Sequence, residues 1–541
     1  MNDGHHSLLI VTQSFEVGGL ETHIAGQVRV MAAQGWAIHM ACGSQPAAEF
    51  LPPGLSSVTG GLNLGPGATA AELVATVESL RSIIREHAVT HVHGHPFTSL
   101  FPAMLAAALE GVPFILTLHG PASLSAEYGP INDFLFTSLA LPLSQGVIAV
   151  SDEVVELAAP YVGDKTETLH LQRNAIDFAQ FRQSASPASE GESWLVVSRL
   201  DGVKIPGIRA FVNQAHALGL GGVDIVGDGP GRATLQEWLE EDGVGHAARF
   251  LGARSDVPDL MRSCAGVAGM GRVLLEGVAS GKPVCVVGYD GVKGLLDPDL
   301  FQRAAYANFS GRNLPNVGAE ELARQFEHAP VIASELVDIA FQRHSEERVW
   351  SDFAKRITSF TCNAHSPIPA VYSVLRSEEA IASAGPYLAS ENLFYHIGRV
   401  LHGAAFFSPA TVASYAFYEA RVRALREMEW REEVRASSMG IMQVSEAALE
   451  IKASVSQVDA RALEIQAAVS QAEARAVKDM ERISDGLQRL SEECDRHHDE
   501  LAKVVRAFED AAEEIATCLQ QPRTWRQRIS DVVRGFSGRG R

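Results

Sequence analysis

The sequence predicts an α/β protein of two lobes, each built on a parallel sheet, extended at its C-terminus by helices. Three observations lead there. Short, unbroken apolar runs such as Leu8-Leu9-Ile10-Val11, Trp194-Leu195-Val196-Val197 and Val223-Asp224-Ile225-Val226 lead into turns and then into helical stretches. That is how parallel strands buried on both faces read, with ligands at their carboxyl ends. The chain has 541 residues, 46% of them apolar, which exceeds what one core organises and points to two or three units. Residues 182–193, rich in Ser, Ala, Pro and Gly, fall between two sets of such runs and read as a linker.

Charge and cysteine usage narrow the classes of function. A net charge of -20 disfavours non-specific nucleic-acid binding, which needs phosphate-neutralising cations. The cysteines Cys42, Cys264, Cys285, Cys362, Cys494 and Cys518 are scattered, with no CxxC spacing, and read as reduced structural thiols in a cytosol. A strand begins at Leu8, leaving no room for a signal peptide. The most apolar window, Phe101 to Leu118, contains Glu110, Gly111 and Pro113; it reads as helix, turn and strand, not as a membrane span. The expected location is cytoplasmic.

In the first lobe, residues 1–181, a strand over residues 8–12 is followed by Gly18-Gly19 and an amphipathic stretch to about Gln34. A glycine pair at a strand-to-helix turn either lets backbone approach a phosphate or sugar closely, or supplies positive φ for a tight turn. Thr90-His91-Val92-His93-Gly94-His95 ends a later strand and Ile115 to His119 the next. Closely spaced strand-end histidines with no further ligand at helical or hairpin spacing read as a polar cluster rather than as a metal site.

The second lobe, residues 194–343, carries the chemistry most plainly. Arg199 and Lys204 stand five residues apart just after the strand Trp194-Val197. Gly227 and Gly229 follow the next strand, and Gly269-Met270-Gly271-Arg272 opens a helix that reaches Glu276. A diphosphate needs cations and free backbone N–H groups, and a ribose diol suits a carboxylate. The set describes a nucleoside-diphosphate site. Asp297-Pro298-Asp299 has the spacing of a metal-binding pair, but its proline-containing context reads as a turn. No metal or resident cofactor is expected, so protein cations must neutralise the leaving group.

Arg199-x4-Lys204, Val226-Gly227-Asp228-Gly229-Pro230, Phe250-Leu251-Gly252, the helix start ending in Glu276 and Gly281-Lys282-Pro283-Val284, in this order, resemble family 4 of the glycosyltransferases over roughly residues 7 to 360. The resemblance implies the GT-B fold, two Rossmann-like lobes facing a cleft, with the acceptor on the first lobe and the nucleotide-sugar donor on the second. It implies sugar transfer with retention at the anomeric carbon, from a nucleotide-sugar to a lipid-linked or cell-surface glycan. It also implies that Gly18 and Gly19 lie beside the donor diphosphate and that His119 faces the donor sugar. Arg199 and Lys204 would stabilise the departing diphosphate, Glu276 would hold the ribose, and Gly227, Gly229 and Gly269 to Arg272 would line the donor. One departure matters: the family carries a pair of glutamates separated by seven residues, and Ala268 stands where the first belongs. That glutamate contacts the transferred sugar, so Arg272 or backbone N–H groups would have to replace it. The rival reading is a scaffold carrying a degenerate transferase module; a phosphorylase or epimerase of similar fold is a third.

Residues 344–360 resemble the crossover helix by which GT-B chains return to the first lobe, and 361–440 read as a helical appendage with aromatic core positions. From Ile451 to Cys518 apolar residues recur at three-four spacing, with one four-residue stutter between Ala476 and Met480 and a polar His497. No proline interrupts before Pro522. This predicts a coiled coil over 441–521 and homo-oligomerisation through it, since a lone helix cannot bury such a stripe. Residues 522–541 gather Arg523, Arg526, Arg528, Arg534, Arg539 and Arg541 with Trp525 and Phe536, a basic amphipathic helix suited to the anionic inner face of a membrane.

Overall fold

The coordinates are a computed structural model and describe residues 6–16, 18–124, 128–162, 166–182, 192–327, 329–362 and 366–403. The predicted coiled coil and basic tail lie outside the described residues, as does most of the linker. Among the described residues, no helix is long and apolar enough to cross a membrane.

Seven strands build the first sheet: β1 (Ser7–Thr12), β2 (Ala37–Cys42), β3 (Leu55–Thr59), β4 (His91–Gly94), β5 (Phe114–Leu118), β6 (Gly146–Ala149) and β7 (Leu169–Leu171). They lie in the order β3-β2-β1-β4-β5-β6-β7, all parallel. β1 and β2 are buried almost throughout, which is why they read as unbroken apolar runs. The second sheet holds β8 (Trp194–Val197), β9 (Val223–Val226), β10 (Ala248–Gly252), β11 (Gly266–Gly269), β12 (Val284–Val287) and β13 (Val292–Leu295). Its order is β10-β9-β8-β11-β12-β13, parallel except for the antiparallel edge β13. In both sheets the order reverses beside the first strand, between β1 and β4 and between β8 and β11. Such switch points leave a crevice at the strands' carboxyl ends.

The chain crosses between the lobes twice, and the crossings are tied together. The Ile176 N–H donates to the His344 carbonyl at 2.6 Å, and the Glu346 N–H donates to the Ile176 carbonyl at 3.1 Å. The returning helix, Glu346–Ile357, then buries Val349, Trp350, Phe353 and Ile357 against Leu8, Ile10, Ile24 and Val28 of the first lobe. Each large side chain buried this way contributes roughly 1.5–3 kcal/mol. Residues 366–403 continue onto the same lobe: Ile368, Val371, Phe394 and Ile397 share its core with Leu80, Phe101 and Met104, and the Tyr372 hydroxyl donates to Glu78 at 2.6 Å. On the opposite flank the Tyr306 hydroxyl donates to Glu156 at 2.5 Å and Arg312 pairs with Glu153, closing one side of the cleft.

One local reading is corrected. Asp297 does not sit in a loose turn; its side chain caps the helix Pro298–Tyr306 by accepting from the Leu300 N–H, with Pro298 in the first turn. Aspartate at a helix N-cap followed by proline is a start signal.

Candidate functional site

The second-lobe wall of the cleft is charged and open. Arg199 follows β8 and is 76% exposed, with its Nε 3.3 Å from Asp201. Lys204, at the start of the helix Ile205–Ala217, places its Nζ 3.1 Å from the same carboxylate. Burial alone would raise the Asp201 carboxyl, but Lys204 and then Arg199 hold it below the usual range. Asp201 therefore gathers the two cations, a role the sequence reading missed, although an acid three residues before a lysine at a helix start is a visible signal.

Gly227 and Gly229 brace this loop. Both have left-handed backbone, φ 123° and 155°. A Cβ at Gly227 would lie 1.9 Å from the Ser198 carbonyl oxygen, and one at Gly229 would lie 2.4 Å from that of Leu200. The Leu200 N–H donates to the Asp228 carbonyl and the Gly231 N–H to the Leu200 carbonyl. These glycines are required first by the close approach of two loops, one of which carries Arg199. The turn after β11 is partly engaged as well. The Gly271 N–H donates to the Phe309 carbonyl at 2.7 Å, while Gly271 has φ 67° and open space beside it. Met270 lies between these glycines in the same turn.

Arg272 and Glu276 meet each other. The Arg272 Nε donates to Glu276 Oε1 at 2.9 Å, and both side chains are 13% exposed. Burial raises the Glu276 carboxyl against the opposing pull of Arg272. Arg272 also points a nitrogen to within 3.9 Å of Glu346, which is buried and paired with Arg29 of the first lobe. Ala268 lies inside β11, wholly buried and in one core with Trp194, Val196 and Phe211. In this chain, position 268 contributes to packing, and Arg272 is the charged group at that end of the strand.

The first-lobe wall is different: buried, aromatic and uncharged. Gly18 is the N-cap of the helix Gly19–Ala33 with extended backbone, φ 177°, so the positive-φ reading of the glycine pair does not apply. Nothing lies within 4 Å of a Cβ placed at Gly19, leaving that helix start approachable. His91, His93 and His95 alternate down one face of β4 and its end. His91 contacts the Ile357 carbonyl at 2.8 Å, and His93 spans Gln27 and Thr117, at 3.0 and 2.8 Å. His95 Nδ1 lies 2.9 Å from His119 Nε2. His23 packs edge-on against both His119 and Trp350, with ring centroids 4.8 Å apart in each case.

Burial and then neighbouring histidines drive His23 and His95 well below the usual imidazole range. His93 is brought down to about 3 by burial and then by His119, and His119 to about 4 by burial. All four are neutral at physiological pH. His119 alone keeps a partly exposed ring. Sequence spacing could not reveal His23, which comes from a different element 96 residues before His119 (119 minus 23). One ring nitrogen each from His23, His95 and His119 lie within 4.8 Å of one another, the one such group found among the described residues. Three imidazoles can ligate a transition metal, but the 2.9 Å contact between His95 and His119 is already accounted for as a hydrogen bond between neutral rings.

The fold and the two walls can now be set beside known proteins. HepE from Anabaena, solved in complex with UDP-glucose, superposes with a TM-score of 0.52 at 20% identity, over 66% of this chain and 100% of that one. A glycosyltransferase from Rickettsia africae matches with a TM-score of 0.50 at 15% identity, over 65% and 98%. The sucrose-phosphate synthase of Thermosynechococcus elongatus gives the same values. No curated protein matches by sequence. The two described lobes have the GT-B fold of glycosyltransferases. More particularly, residues 17–180 match the family described as Glycosyltransferase Family 4.

Proposed function

We propose that the protein transfers a hexosyl group from a nucleotide-sugar donor to a lipid-linked or cell-surface glycan, with retention at the anomeric carbon and without a metal. The observation that carries this reading is the pair Arg199 and Lys204 held on Asp201 at the end of β8. A nucleoside diphosphate leaving group develops negative charge as the glycosidic bond breaks. Two prepositioned cations stabilise that charge, an effect on the order of 10²-fold or more in rate. When the diphosphate arrives, it competes with Asp201 for both. HepE was solved with UDP and with UDP-glucose, which supports a nucleotide-sugar as the donor here.

The other residues take roles consistent with their surroundings. Gly19 and the start of its helix offer N–H groups to the donor phosphates. Neutral His119, with Nε2 engaged by His95, presents its free edge to the sugar as a hydrogen-bonding group. Glu276 receives the ribose diol once Arg272 releases it or shares it. Retention rests on the family resemblance. The lipid-linked acceptor rests on the basic amphipathic tail, residues 522–541, which would bring the lobes to an anionic membrane surface. The heptad region 451–518 would assemble several copies and multiply that contact.

A thermal-shift screen of nucleotide-sugars followed by a donor-hydrolysis assay tests the reading. A stabilising donor that is hydrolysed supports it. A protein that binds none and hydrolyses none, yet sediments as an oligomer through residues 441–521, supports the scaffold reading, which the alanine at position 268 favours.

A further inference from the structure

A second group of cations shares no residue with the donor wall. The end of β7, the end of the helix Ala329–His344 and one face of the returning helix Glu346–Ile357 enclose a cavity of about 470 Å³. Its polar lining is Gln172, Arg173, Arg343, Arg348, Asp352 and Arg356. Four guanidinium groups thus face one carboxylate, in a chain whose net charge is -20. Arg348, Asp352 and Arg356 recur every four residues, on one stripe of their helix.

These arginines are only partly engaged by neighbours, Arg173 most of all, since it also donates to the Ala305 carbonyl at 3.1 Å. Arg173 pairs with Asp152 at 2.8 Å, beside the cavity, and Arg343 donates to the amide oxygen of Gln302 at 2.5 Å. Among the described residues, Arg343, Arg348 and Arg356 have no carboxylate within ion-pair distance. One terminal nitrogen of Arg356 is buried without a hydrogen-bond partner among the described residues. So is the side-chain nitrogen of Gln172, a residue only 8% exposed. A buried N–H donor without a partner costs about 1–3 kcal/mol. Two of them, lining one cavity with four guanidiniums, call for an acceptor.

We propose that this cavity binds a phosphate-bearing anion. Planar guanidinium forks match phosphoryl oxygens, and the Gln172 amide adds a neutral donor to the lining. The volume lies within the range of small-ligand sites. None of its residues is Arg199, Lys204, Arg272 or Glu276, so variants of the two can be made independently. Its lining brackets the two crossings between lobes: residues 171–173 precede Ile176, and Arg343 and Arg348 flank the His344 and Glu346 backbone groups that bond to Ile176. An occupant would brace the connection on which the two walls are mounted.

The test uses the full chain carrying Arg199→Ala and Lys204→Ala, so that the donor wall is silent, titrated with inorganic pyrophosphate by calorimetry. Binding in the submillimolar range is expected, falling at least tenfold when Arg348→Ser and Arg356→Ser are added. The single change Arg348→Glu, at an exposed position that does not threaten folding, should weaken binding as strongly. The same pair of serine substitutions is then read by flotation with vesicles containing phosphatidic acid. A loss in both assays assigns the phosphate to a lipid headgroup, and a loss in calorimetry alone assigns it to a free anion. No pyrophosphate binding to the silenced protein, or no loss with either pocket variant, overturns the proposal.

Discussion

The two walls of the cleft solve different problems with different chemistry. The second-lobe wall is made of charge, an exposed Arg199 and a half-buried Lys204 on Asp201, mounted beside glycines that fit two loops closely together. The first-lobe wall is made of buried neutral rings, with His23, His93 and His95 almost without solvent contact. Charge on a loop can move to meet a diphosphate and be released with it. Buried imidazoles hold one geometry and one protonation state, which suits orienting an uncharged sugar. The account therefore assigns nucleotide affinity to one wall and turnover to the other, and that division can be broken experimentally.

The largest effect is expected where the charged wall is mounted. Gly227→Ala forces a left-handed alanine whose Cβ meets the Ser198 carbonyl at 1.9 Å. The expected cost is on the order of 3 kcal/mol, with nucleotide binding lost as the Arg199 loop shifts. Urea unfolding and calorimetry check it. A variant as stable as the parent would mean that the two loops are free to separate.

The neutral wall should announce itself in acid. His93 and His119 of this wall stand near 3 and 4, below the unfolded value of about 6.5. A group with a depressed folded pKa binds more protons when unfolded. Stability therefore rises with pH between those values and about 6.5, and is fully present above 6.5. Between pH 6.5 and 5 each such histidine accounts for about 2 kcal/mol. Glu276 and Glu346, raised by burial, act in the opposite sense above about 4.5 but are outnumbered. Thermal midpoints measured from pH 7 to 5 should fall steadily; a flat profile would contradict the buried neutral network.

His95→Ala sharpens the division. It removes the 2.9 Å partner of His119 without touching the charged wall. Turnover should drop about tenfold with nucleoside-diphosphate affinity unchanged, and His95→Gln should recover part of it. Equal losses in both would dissolve the distinction. The smallest expected effect is at Gly19, where a Cβ meets open space. Gly19→Ala should raise stability by about 0.5 kcal/mol while raising KM for the donor. An unchanged KM would leave Gly19 as spacer backbone.

The charged wall was legible because its signals are local. Arg199 and Lys204 sit within six residues, and β8 and β9 appear as apolar runs, β9 leading straight into Gly227. The neutral wall was legible only in pieces. His95 and His119 end visible strands, but His23 and Trp350 come from helices whose packing no spacing encodes. Gly227 and Gly229 were legible as glycines after a strand, but the close approach of two loops that also demands them is not encoded in any spacing. The Arg272–Glu276 pair is an i,i+4 contact that the spacing makes legible. The arginine cavity was invisible because Arg173, Arg343 and Arg348 converge from separate segments.

The central claim is that Arg199 and Lys204 form the seat of a nucleoside diphosphate. Calorimetric titration of UDP into the parent protein, into Lys204→Ala and into Arg199→Ala tests it most directly, with circular dichroism confirming intact folds. The account predicts measurable binding to the parent and a loss of at least tenfold in each variant, a difference of about 1.4 kcal/mol. Binding of the same affinity in all three proteins would contradict it.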